Sequence, residues 1–112
     1  MKAILALIFW IIGVTYLSLV PLDPSDIQLF NHADKLAHFV FYAGMAFLIL
    51  NAFTHDWKFR YISALLLCIC YGILMENLQD ALKAGRHFDN FDIIANIIGA
   101  LAGSIMFYFK KN

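Results

Sequence analysis

Side chains able to carry charge, move a proton or hold an anion fall at helical spacing in three places along the 112 residues. Asp34, His38 and Tyr42 step by four, with Lys35 beside them, so they share one face of a helix. Glu76 and Gln79 are three apart. Arg86 precedes Asp89, Asp92, Asn96, Gly99 and Gly103, which step by three and four and draw one stripe. The chemistry such a set supports is the handling of an anionic group. Lys35 and Arg86 would grip a phosphate, His38 or Glu76 would serve as acid or base, and Asp92 would orient the histidine or hold a metal. No serine or cysteine nucleophile stands among them, so turnover would need an attacking carboxylate or a bound water. One histidine with carboxylates and no ligand-spacing motif is a poor metal signature, so neither a metal nor a cofactor is assigned.

Structural roles compete for the same residues. Asn31 with Asp34, and Asp89 with Asp92, have the spacing of helix amino-terminal caps. A histidine such as His38 on a mostly apolar face is more often a satisfied interior residue than a ligand, and Asn96 reads as a bridge between helices. Gly99 and Gly103 form a small-xxx-small pair for close packing, within a bundle or between two copies of the chain. Glu76 is hardest to explain structurally. It follows the nearly unbroken apolar run from Tyr61 to Met75, and an acid near a helix carboxyl end opposes the helix dipole. It needs a partner, with Arg86, Lys35 and His38 as candidates. Cys68 and Cys70 point to opposite sides of a helix and form neither a disulfide nor a metal pair. Trp10, Trp57, Tyr61 and Tyr108 read as interfacial anchors or core, and Pro24 to Phe30 as a segment lying along the membrane surface.

The elements that must position these residues follow from composition. The chain is 62% apolar and 14% charged, with a mean hydropathy of +0.75, where soluble domains carry roughly a quarter charged residues. Eight basic against eight acidic residues leave no excess positive charge for a nucleic acid, and eleven Phe with five Tyr exclude disorder. Four apolar stretches are long enough to cross a bilayer: about residues 3–20, 36–53, 61–78 and 92–109. We therefore expect an all-α membrane protein, one domain over residues 1–112, folded as a compact bundle of four transmembrane helices. The first stretch lacks a small-x-small cleavage site near its end and reads as a retained span rather than a signal peptide.

The distribution of Lys and Arg places both termini in the cytoplasm: Lys2, Lys58, Arg60, Lys110 and Lys111 lie inside, against Lys35, Lys83 and Arg86 outside. The acids divide more sharply, with Asp56 inside and Asp23, Asp26, Asp34, Glu76, Asp80, Asp89 and Asp92 outside. Alternating helix direction brings the start of span two, the end of span three and the start of span four to one depth. Asp34, Lys35, His38, Glu76, Gln79, Arg86, Asp89, Asp92 and Asn96 then form a single layer, expected as a shallow polar pocket at the outer face. Ionisable residues at such depth are functional candidates by default.

The ordered set Asp34-Lys35-x-x-His38-x-x-x-Tyr42, Glu76-x-x-Gln79 and Arg86-x-x-Asp89-x-x-Asp92-x-x-x-Asn96-x-x-Gly99-x-x-x-Gly103 resembles the VanZ-like family of small bacterial membrane proteins. The resemblance runs from about Pro21 to the end and matches the family's polar positions at Asp34, Lys35, His38, Glu76, Gln79, Arg86, Asp92 and Asn96. It implies a multi-pass protein of the bacterial cytoplasmic membrane whose namesake is linked to resistance to the glycopeptide teicoplanin, and it brings no settled biochemical activity. Three functions then compete. The layer binds an anionic or lipid-linked head group such as a cell-wall precursor, or a lipidated glycopeptide, without turnover. It is a membrane enzyme acting on a phosphorylated lipid. Or its charges only hold the helices in register for an accessory subunit. Transport is disfavoured, because no charge marks the middle of the spans.

Overall fold

The computed structural model describes residues 1–19, 33–53, 58–82 and 90–111, the side chains of Ala33, Asp34 and Lys111 aside. Four helices account for almost all of them: α1 (Lys2–Leu19), α2 (Ala33–Ala52), α3 (Arg60–Leu82) and α4 (Asn90–Lys111). At 1.5 Å per residue these are about 27 to 35 Å long, the thickness of a hydrocarbon core. All four are long and apolar enough to span a membrane, which makes the chain a multi-pass membrane protein. Much of the surface is apolar, with Phe9, Ile12, Leu67, Ile98 and Ile105 among the exposed side chains, as lipid contact requires.

In α3 the helix continues through Leu82, beyond the apolar stretch that ends near residue 78. A membrane helix does not stop where its hydropathy stops. The backbone groups of Gln79 and Asp80 still gain by staying in the helical ladder, and the polar side chains are accommodated against neighbours. Glu76 therefore lies inside the helix rather than at its carboxyl end.

α2 is the hub. It packs against α1, α3 and, most extensively, α4, while α3 also contacts α1 and α4, and α1 and α4 do not meet among the described residues. The α2–α4 seam is tight because glycines remove side chains at the crossing. A Cβ on Gly99 would collide with the backbone carbonyl of Phe39, and one on Gly103 with that of Ala43. Both partners are four apart on their own helices, so the two ridges run in register. The packing role of Gly99 and Gly103 is thus filled inside the chain.

α1 is fastened more loosely. Trp10 Nε1 donates to the Phe41 carbonyl at 2.9 Å, which places this tryptophan between helices, and Thr15 pairs with the Tyr71 hydroxyl. At the end of the bundle where α3 starts, Arg60 is buried and its Nη2 donates to the carbonyls of Leu50 (3.2 Å) and Phe53 (3.4 Å), capping the end of α2. Lys110 donates to Asn51 Oδ1 at 2.7 Å across the same end and, like Arg60, lies against the Phe107 ring.

Candidate functional site

The polar residues singled out by spacing gather at the other end, where α2 and α4 begin. Lys35 Nζ lies 2.6 Å from Asp92 Oδ1, pairing the first turn of α2 with that of α4. One turn further along α2, His38 has Asp92 Oδ2 at 3.5 Å from Nε2 and Asn96 Oδ1 at 2.9 Å from Nδ1. An amide oxygen only accepts, so Nδ1 is the donor, and the imidazole is held between two successive turns of α4. Glu76 enters from α3, fully buried, with one carboxylate oxygen close to both His38 and Asp92: a ligand-type atom from each of the three lies within 4.8 Å of the others.

Around this centre the side chains are closed in. Tyr42 is 1% exposed and its ring stacks on His38 with centroids 6.4 Å apart. Asn96 is backed by Gly72 of α3, where a Cβ would come within 2.7 Å of Asn96 Nδ2. Gln79 is also buried, but it turns toward α1: its Nε2 donates to the Ser18 carbonyl at 2.7 Å. Within this buried set, Tyr42 Oη, Gln79 Oε1 and Asn96 Nδ2 have no hydrogen-bond partner among the described residues. Lys35 has 26% of its side chain exposed and is the accessible member.

The structure thus joins Lys35, His38, Tyr42, Glu76, Asp92 and Asn96, and it places Gln79 on their border with α1. Arg86 and Asp89 lie outside the described residues, as do the side chain of Asp34 and residues 20–32 and 83–89. Residue types did not reveal the Ser18 carbonyl, since any residue supplies one. The available signal was topological, because α1 ends at the depth where α2 begins. The pairing of Thr15 with Tyr71 was likewise invisible to spacing within one helix. A surface groove of about 430 Å³ lined by Tyr61, Ser104, Ile105, Tyr108 and Phe109 lies at the opposite end, away from these groups.

Chemically, the arrangement offers one accessible ammonium, two carboxylates and an imidazole with fixed ring orientation, in surroundings that exclude water. Buried charge of this kind is expensive in a bundle surrounded by lipid and persists where it is used.

Comparison with known proteins agrees with this architecture. The VanZ/LLP1 family model matches residues 3–111. The chain is also similar to the uncharacterized protein YJR112W-A of Saccharomyces cerevisiae, 36% identical over 85 residues, covering 67% of this chain and 78% of that protein. No solved structure matches it. Four membrane-spanning helices, matched by one family model over nearly their whole length, make this chain a member of the VanZ/LLP1 family.

Proposed function

We propose that the layer formed by Lys35, His38, Glu76, Asp92 and Asn96 binds the phosphorylated head group of a membrane lipid or lipid-linked envelope precursor at the outer leaflet, with both termini of the chain in the cytoplasm. The observation that carries this reading is incomplete pairing. A network kept for stability alone satisfies its own members, because each unpaired buried polar atom costs about 1–3 kcal/mol. Here Tyr42 Oη, Gln79 Oε1 and Asn96 Nδ2 have no hydrogen-bond partner among the described residues, around a centre of buried charge. Lys35 supplies the accessible cation, and the amino termini of α2 and α4 add partial positive charge at the same end. Similarity to a yeast protein favours a head group that bacteria and yeast share, since yeast builds no peptidoglycan. A role in teicoplanin resistance then belongs to particular members that meet the drug at this face.

The test is a thermal-shift comparison of the purified protein in detergent with dihexanoyl phosphatidic acid and with dihexanoyl phosphatidylcholine. A ligand at 100 times its Kd stabilises by about 2.7 kcal/mol. We expect a rise of several degrees with the phosphomonoester, none with phosphatidylcholine, and loss of the difference in Lys35→Met. Equal shifts with both lipids, or an undiminished difference in Lys35→Met, would sink the head-group reading.

A further inference from the structure

We propose that His38, Glu76 and Asp92 together hold one divalent cation of the Mn²⁺ or Zn²⁺ class. Three helices contribute one residue each, and no spacing motif in the sequence announces them. Their ligand atoms converge to within 4.8 Å of one another, and all three residues are buried. Bonds of about 2.0–2.2 Å to imidazole nitrogen and carboxylate oxygen place neighbouring ligand atoms about 3.0–3.5 Å apart, so His38 Nε2 and Asp92 Oδ2 at 3.5 Å already stand at that separation. Glu76, with an oxygen within 4.8 Å of both, completes the set.

An independent feature points to a cation. Nδ1 of His38 donates to Asn96 Oδ1, so Nε2 is the nitrogen that faces the carboxylate oxygen of Asp92, and when the ring is neutral it presents a lone pair there. Two acceptors facing each other across 3.5 Å need a positive charge between them, a proton or a metal ion, and the third acidic group converging there, Glu76, favours the ion. The same Asn96 contact is the device by which metal-binding histidines are oriented, the second ring nitrogen being tied to a carbonyl oxygen. Asp92 divides its oxygens accordingly: Oδ1 faces Lys35 and Oδ2 faces the histidine. Tyr42 Oη, 1% exposed and without a hydrogen-bond partner among the described residues, belongs to the ring stacked on His38 and leaves a polar group in reserve beside the centre. One imidazole with two carboxylates is intermediate between the oxygen sets of Mg²⁺ and the nitrogen-rich sets of copper and nickel, which is why Mn²⁺ and Zn²⁺ suit it. With a dication seated, the layer adds to the pull of Lys35 on phosphate. The inference thereby deepens the head-group reading and rests on it for its purpose.

The metal is measured without lipid. Protein in detergent is stripped with EDTA and dialysed against Mn²⁺, and bound Mn²⁺ is counted and examined by pulsed electron paramagnetic resonance for modulation from an imidazole ¹⁴N. We expect one Mn²⁺ per chain with ¹⁴N modulation, both lost in His38→Gln, affinity reduced at least tenfold in Glu76→Gln, and a weakening of about 10–100-fold in Asn96→Leu. Gly13→Ala, on α1 where nothing lies within 4 Å of the added carbon, keeps the ion. Absence of stoichiometric Mn²⁺ in the parent protein, or bound Mn²⁺ without ¹⁴N modulation, overturns the proposal, and neither result depends on a variant folding. A histidine ¹⁵N spectrum with both ring nitrogens of His38 protonated also overturns it, because a proton then fills the gap. The two readings fail separately: lipid selectivity without metal removes the cation alone, whereas metal without lipid selectivity removes the head group and leaves the cation site standing.

Discussion

Asp92 shows what a single charge does in this protein. Its two oxygens serve different partners, Lys35 at 2.6 Å and His38 at 3.5 Å, so exchanging the carboxylate for an amide separates stability from binding. Because Lys35 is partly exposed, its ion pair is screened and contributes no more than about 1 kcal/mol. Asp92→Asn is therefore expected to lower the Tm by no more than a few degrees while weakening Mn²⁺ binding at least tenfold. A fall of about ten degrees or more would instead mark the layer as a network that holds the helices together. Much of this layer was legible in the sequence. Lys35, His38, Asp92 and Asn96 announce themselves by steps of three and four, and alternating spans bring them to one depth. What spacing could not convey is which atoms meet. That His38 bonds Asn96 through one nitrogen and faces Asp92 with the other is decided by the rotation of α4 against α2, set by the close packing of Gly99 and Gly103 on Phe39 and Ala43.

The α2–α4 seam depends on two missing side chains. Adding a methyl at Gly99 or Gly103 drives it into the backbone of Phe39 or Ala43, which cannot yield as a flexible side chain would. Gly99→Ala and Gly103→Ala should each lower the Tm by many degrees. Gly13→Ala on α1, where nothing lies within 4 Å of the added carbon, should leave it unchanged or raise it, since alanine is favoured over glycine in a helix by about 1 kcal/mol. The sequence presented the glycine pair as a packing motif but left its partner open, because the motif does not say which helix fills it. Arg60 marks a second limit. As a charge beside a span it indicated topology, whereas in the structure its guanidinium reaches back to the carbonyls that close α2. Arg60→Leu should raise hydrogen exchange at the end of α2 and cost about 1.5–3 kcal/mol, the contribution of hydrogen bonds to a charged donor. Unchanged exchange from Leu50 to Phe53 would deny Arg60 that role.

At the scale of the molecule, four helices make an even number of crossings, so both ends of the chain emerge on one side. With Lys2, Lys58, Arg60 and Lys110 on that side, the positive-inside bias supports our proposal that it faces the cytoplasm. A fluorescent protein fused to either end in bacteria should fold and fluoresce, and alkaline phosphatase fused to either end should stay inactive. Active phosphatase at the carboxyl end would turn the molecule over and place the polar layer on the cytoplasmic leaflet. The number and type of helices could be read directly from hydropathy, because a bilayer permits few alternatives to a helix for an apolar stretch of this length.

The order of synthesis gives the α2–α4 seam a further meaning. The tightest interface joins the second helix to the last, so during translation α2 waits, its crossing face at Phe39 and Ala43 open to lipid, until the final span leaves the ribosome. Premature termination anywhere before α4 strands a hub without its main partner and His38 without both Asn96 and Asp92, producing a fragment whose buried histidine faces hydrocarbon. Completion of the chain is thus a checkpoint written into the geometry: membrane proteases that survey unassembled helices should clear truncated products and spare the full-length protein.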